Sequence, residues 1–168
     1  NSSELNILPT NARPTTPGLT GNPTLVVGNM NVLNYFNGDG LGGGFPTPRG
    51  ANTPAEFTRQ RDKIINAIVN SGADILSLNE IENDGFGPES AIQDLVNGLN
   101  AATAPGTWAF IAAPVGTVLS TDQITCAMIY KPSKASPVGD IKALTTGEYV
   151  EVGRGAIAQT FKQNSNNA

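Results

Sequence analysis

Two long apolar runs with a helix-like segment between them constrain this chain more than any other feature. The first, residues 25–36, carries Asn31 near its end, and the second, residues 73–82, carries Glu80. A strand–helix–strand unit of this kind is nearly always right-handed with parallel strands, so the two polar residues are expected at the same edge of one sheet. In open α/β sheets that carboxyl edge is where ligands bind. A carboxylate beside a carboxamide there is a candidate oxygen-ligand site for a hard divalent cation. The chain contains no histidine, so an imidazole base cannot come from this polypeptide.

A length of 168 residues points to one domain, able to bury roughly 70% of its unfolded surface. Only 14% of residues are charged, against about 25% in ordinary globular domains. With a net charge of −4, the chain as a whole lacks the clustered Lys and Arg of a non-specific nucleic-acid binder. Phosphate chemistry stays open, because a bound divalent metal inverts the local field. The single cysteine, Cys126, allows no intrachain disulfide. Its place in the apolar run 123–130 predicts a buried small hydrophobe. No apolar stretch is long enough for a membrane span, and no basic-then-apolar leader opens the chain. It begins on Asn1 rather than Met, as a processed product or an excised piece would.

Residues 1–22 are rich in Pro, Thr and Asn and read as an extended linker arm, with the folded part expected over 23–168. Residues 37–44 satisfy GxGxxG on paper through Gly38, Gly40 and Gly43. A dinucleotide site needs a helix at once after the third glycine, and Phe45-Pro46-Thr47-Pro48 prevents one, so a surface loop is expected. Thr53-Pro54-Ala55-Glu56 is a helix start, with Thr53 as N-cap, Pro54 at the first position and Glu56 closing a capping box. Phe57, Ile64, Ile65, Ile68 and Val69 follow at helical spacing, and Gly72 is the stop. Arg59, Arg61 and Lys63 read as a solvated helix face rather than a nucleic-acid patch. Pro88 is expected to open a second helix bearing Ile92, Leu95, Val96 and Leu99. Further strands are expected at 108–112, 124–130 and 156–162, with short β-prone pieces at 141–144 and 149–152 and a polar turn at the end.

Asn79-Glu80-Ile81-Glu82-Asn83-Asp84 sets three carboxylates at alternate positions where a strand meets its loop. If the pleat persists, Glu80, Glu82 and Asp84 share a face beside Asn31 and make a hard-cation site. The plainer readings are a solvated acidic loop and, for Asn31, a buried amide bonding nearby backbone.

Residues 29–36 (Asn-Met-Asn-Val-Leu-Asn-Tyr-Phe), 72–83 (Gly-Ala-Asp-Ile-Leu-Ser-Leu-Asn-Glu-Ile-Glu-Asn) and 124–132 (Ile-Thr-Cys-Ala-Met-Ile-Tyr-Lys-Pro) stand in one order and spacing. Together they resemble the endonuclease/exonuclease/phosphatase superfamily, the DNase I-like fold, in its branch of secreted bacterial extracellular nucleases. The segment Leu5 to Pro14 is similar to the linker before the catalytic domain there. The resemblance runs from about Glu4 to Lys162. It implies a phosphodiester or phosphomonoester hydrolase using Mg²⁺ or Mn²⁺, with Ca²⁺ as a third option, and an α/β fold that is a four-layer αββα sandwich of two similar halves. Asn31 then matches the asparagine that helps hold metal or phosphate, and Glu80 matches the glutamate that ligates the metal. Arg154 matches, more weakly, an arginine before the last strand of the first half, a loop ion pair being the plain alternative.

Asn29 and Met30 depart from the small residue and Phe usual before the asparagine, which bears on packing more than on chemistry. The larger departure is that nothing matches the Asp and His residues of the family's second half. The chain is therefore expected to be the first half of the sandwich, a mixed β-sheet with helices on one face, lacking those catalytic groups and inactive alone. Its other sheet face is expected to be apolar, and covered by the missing half or by self-association. No membrane partner is expected, and nucleic acid is the expected substrate of the complete enzyme. DNA, RNA and small phosphoesters, and endo- or exonucleolytic action, stay open, as do two alternatives: a non-catalytic metal- or ligand-binding module, and a phosphatase of the same fold.

Overall fold

The computed structural model describes residues 14, 16–144, 146–147, 149 and 155–166. Among these residues two α-helices and six strands follow one another as β1 (Val27–Tyr35), α1 (Pro54–Ser71), β2 (Ile75–Glu82), α2 (Ala91–Ala102), β3 (Ala109–Phe110), β4 (Ile124–Tyr130), β5 (Ala135–Leu144) and β6 (Ala156–Gln163), with a short 3-10 turn at Asn164–Asn166. The fold is mixed α/β. A four-stranded sheet has the order β1-β2-β4-β3, with β1 parallel to β2 and the other neighbours antiparallel, and β5 and β6 form a second, antiparallel pair. Both helices pack on one side of the larger sheet.

The helix boundaries follow local chemistry. Thr53 is extended, its hydroxyl accepts the Glu56 N–H, and Gly72 ends α1 at φ 73°, where an L side chain would be strained. The Glu56 carboxylate closes the reciprocal bond one residue earlier than a standard capping box, on the Asn52 N–H at 2.8 Å. The second helix starts at Ala91, not at Pro88. Residues 87–90 form a turn in which Ser90 N–H and Oγ both bond the Gly87 carbonyl, and Ser90 then caps the helix. Of the strand expected at 108–112 only Ala109–Phe110 pairs, whereas β5 starts at Ala135, well before the expected 141. The short piece expected at 149–152 falls largely outside the described residues.

Ile65 and Ile68 of α1, and Ile92, Leu95, Val96 and Leu99 of α2, close on Leu76, Leu78, Ala127 and Ile129 of the sheet. This apolar burial is the main driving force of the fold. The lower end of the sheet is registered by Asp74, 7% exposed. Its carboxylate accepts the Val26 N–H at 3.1 Å and pairs with Lys131 Nζ at 3.1 Å, while its backbone bonds Val26 and Lys131. One buried side chain thus ties the starts of β1 and β2 to the end of β4. At the opposite end Tyr35, fully buried, donates its hydroxyl to Asp94 of α2, which also accepts Arg61 Nε of α1 at 2.8 Å. Burial first, then the Asp94 charge, holds the Tyr35 hydroxyl protonated far above its ordinary range.

Asp94→Ala leaves the Tyr35 hydroxyl without its acceptor and is expected to cost about 1–3 kcal/mol of stability. In denaturant melts, Tyr35→Phe should cost less in the Asp94→Ala background than in the parent. Equal costs in both would show that the two groups are not coupled.

Candidate functional site

The expected juxtaposition of Asn31 and Glu80 rests on parallel pairing, and the register provides it. Asn31 stands opposite Asn79, next to Glu80, and the following rung pairs Tyr35 with Ile81. Between these rungs the ladder is irregular on both sides of β2. One residue step in β4 (Cys126 to Thr125) faces two in β2 (Asn79 to Ile81) and four in β1 (Asn31 to Tyr35). The extra residues take left-handed backbone: Glu80 at φ 66°, Leu33 at φ 56° and Asn34 at φ 50°, the only non-glycine residues at positive φ among the described residues. Such conformations cost about 1–2 kcal/mol per L-residue, and in other proteins they gather at functional sites. Here all three meet at the two residues singled out from the sequence.

The bulge changes which side chains share a face. Leu78 and Ile81, three apart, both enter the helix-side core, as do Val32 and Tyr35. The unbroken pleat needed to align Glu80, Glu82 and Asp84 is therefore interrupted at Glu80. Among the described residues no group of three His, Cys, Asp or Glu side chains converges to hold a metal. The donor set is one carboxylate with a neighbouring carboxamide. That suits Mg²⁺, which is usually held by one or two carboxylates with waters and substrate phosphates, better than Ca²⁺, which takes six to eight oxygens.

Asn31 is exposed rather than buried, and its Oδ1 accepts the Leu33 N–H at 2.7 Å. This bond fixes the amide and supports the strained turn. Glu80 is half-buried. Arg154 lies outside the described residues.

The sheet face away from the helices is mixed: by strand alternation Asn29, Asn31, Ser77 and Asn79 stand among Val27, Ile75, Met128 and Tyr130. Asn79 Nδ2 donates to Asn29 Oδ1 at 3.3 Å, and Cys126 Sγ–H donates to Asn79 Oδ1 at 3.4 Å. Cys126 is accordingly half-buried in a polar row, not a core hydrophobe. Apolar side chains flank the row, Val27 at 67% and Leu33 at 71% exposure among them. Toward β6 the Tyr130 and Phe161 rings meet at 5.5 Å.

Beyond the bulge, Glu82 Oε2 accepts the Asn37 N–H at 3.3 Å, and Asp84 Oδ2 accepts the Ala91 N–H at the start of α2 at 2.8 Å. Burial, then the Asp84 charge, pushes the Glu82 carboxyl up to about 7. Asn37, buried between the two loops, donates Nδ2 to the Glu89 carbonyl at 2.8 Å. The Gly-rich loop opens no helix; Asp39 Oδ1 organises it by accepting the Leu41 and Gly43 N–H groups.

Sequence reasoning missed the left-handed turn at Leu33–Asn34, since neither residue is glycine, and it missed Gln60, whose Nε2 donates to the Val32 and Leu33 carbonyls at 3.0 and 2.7 Å. No protein-family model matches the chain, and no curated protein matches it.

Because the folded state raises the Glu82 pKa above its ordinary 4.5 to about 7, it binds more protons than the unfolded chain between those values. This contribution to stability is therefore greatest below about pH 4.5 and is lost as pH rises through about 7. Glu82→Gln removes it: the variant should melt above the parent at about pH 8 and lose that advantage at about pH 4. A melting difference independent of pH would refute the assignment.

Proposed function

We propose that this chain is the N-terminal part of a metal-dependent phosphodiesterase of the DNase I-like type, an extracellular nuclease in kind, and that Asn31 and Glu80 are its contribution to the active site. The observation that carries the reading is the strained, shared bulge that sets Asn31 and Glu80 on neighbouring parallel strands at the carboxyl edge of the sheet. The three resembling motifs add support, since they occupy β1, β2 and β4, mutual neighbours in one sheet. In this reading Glu80 holds Mg²⁺ or Mn²⁺. A metal there would supply positive charge to a phosphoryl oxygen as negative charge develops on it.

Asn31 has a more specific role. With Oδ1 engaged by the Leu33 N–H, its Nδ2 hydrogens are the groups best placed to donate to a phosphate oxygen. Asn31 then orients phosphate while the carboxylate next to its rung takes the cation. An imidazole base would have to come from elsewhere, because the chain has no histidine, and hydrolysis by this chain alone is slight or absent. The polar row on the open face belongs to the same reading: a second sheet, from the rest of the enzyme or from another copy, would cover Val27 and Leu33 and enclose Asn31.

Calorimetric titration of Mn²⁺ into the parent and Glu80→Ala tests the metal role. Binding to the parent and its loss in the variant are expected; equal binding by both removes Glu80 from that role. Robust Mg²⁺-dependent DNA hydrolysis by the pure chain would overturn the incomplete active site.

A further inference from the structure

The shortness of β3 has a consequence on the helix side of the sheet. After Phe110 the chain keeps one more bond to β4, from the Ile111 N–H to the Met128 carbonyl at 2.9 Å, and then leaves the ladder. The start of β4 therefore has β2 on one side and a loop, not a strand, on the other. Toward the helices this stretch presents Thr125 and Ala127, both small and buried, near Ile81 of β2 and Ile92 of α2. Small side chains under a loop without ladder bonds leave a cavity of about 590 Å³, within the roughly 300–1,000 Å³ of ordinary small-molecule sites.

Residues 112–120 roof the cavity and carry no charge. The loop is tethered at its far end, where Asn83 Nδ2 donates to the Ser120 and Asp122 carbonyls at 3.0 and 2.9 Å and Asp122 pairs with Arg49 at 2.8 Å. Its middle is a turn closed on itself by the Thr117 N–H and the Pro114 carbonyl at 3.0 Å. Leu119 turns inward, while Val115 and Val118 stay exposed. Phe86 forms one wall, its ring stacked on Phe110 at 5.9 Å.

Glu82 is the one charged residue in this lining. It is half-buried, and its Oε2 accepts the Asn37 N–H at the long distance of 3.3 Å. The nearby Asp84 adds a second negative charge. Neither carboxylate is in an ion pair among the described residues, and no Lys or Arg lines the cavity. A partly buried carboxylate is costly to keep ionised without a cation beside it.

We infer that this cavity binds a small amphipathic cation, an ammonium group on an aromatic or branched hydrocarbon body. The ammonium pairs with Glu82, and the body lies on Ile81, Ile92 and Ala127 beneath the uncharged loop. An anion of the same shape would meet two carboxylates, and a neutral molecule would desolvate Glu82 without replacing its charge partner. The inference does not rest on the phosphodiesterase reading.

The test is a saturation-transfer NMR titration of phenethylamine, with phenethyl alcohol and hydrocinnamate as its neutral and anionic counterparts, at about pH 8, where Glu82 is ionised. The parent should bind the amine at millimolar concentration, the alcohol more weakly and the carboxylate not at all. Glu82→Gln keeps an acceptor for the Asn37 N–H, and should lose several-fold in amine affinity with the alcohol unchanged. Ala113→Phe, at a half-exposed position of the lining, should fill the space and weaken amine and alcohol alike. Failure of the parent to bind the amine, or equal binding of the alcohol or the carboxylate, overturns the inference. So does a Glu82→Gln variant in which amine and alcohol affinities change by the same factor, or an Ala113→Phe variant that binds as the parent does.

Discussion

Everything at the candidate site depends on one extra residue in the strand that is bonded on both sides. β2 cannot absorb Glu80 by drifting at a free edge, because β1 and β4 hold it along its length. Below the bulge the register is locked by Asp74, which ties the three strands together. Above it, Tyr35 is locked by Asp94 and by an edge-on contact with Phe57 at 5.3 Å. Between these anchors the backbone has more residues than a regular ladder can accept. It accommodates them by turning Glu80, Leu33 and Asn34 left-handed. Well-packed surroundings can sustain such strain, and stability given up in this way is common where a side chain must be aimed.

The same device links sheet and helix. The turn that bends β1 out of register exposes the Val32 and Leu33 carbonyls, Gln60 of α1 accounts for them, and Arg59 and Lys63 on that helix stay exposed. Two other cations, Arg61 and Lys131, are spent on Asp94 and Asp74.

Much of the fold was legible in the sequence. The α1 boundaries followed from Thr53, Pro54 and Gly72 because each acts locally, through a cap, a fixed φ or a left-handed stop. The parallel pairing of β1 and β2 followed from the strand–helix–strand order. Pro88 misled, because a proline suits a turn as well as a first helical position and Ser90 was the better cap. The face of Glu80, Glu82 and Asp84 was misjudged because alternation was carried through the end of β2, and nothing in Asn79-Glu80-Ile81 announces a residue at positive φ. Bulges arise from the match of a strand with its neighbours, which no single segment contains. Arg59 and Lys63 are exposed, as a solvated helix face requires, whereas Arg61 turns inward to Asp94, a partner 33 residues away that no local spacing announces.

The most direct test of the account is the unfolding free energy of Glu80→Gly against Glu80→Ala. Both variants lose the carboxylate, so they differ in backbone preference and in a single methyl group. In an ordinary strand alanine would be the more stable by roughly 0.5–1 kcal/mol. With residue 80 held left-handed the order should reverse, glycine exceeding alanine by about 1 kcal/mol. An alanine variant as stable as the glycine variant, or more so, would mean that residue 80 is not held in that conformation, and the bulge that brings Asn31 and Glu80 together would be gone.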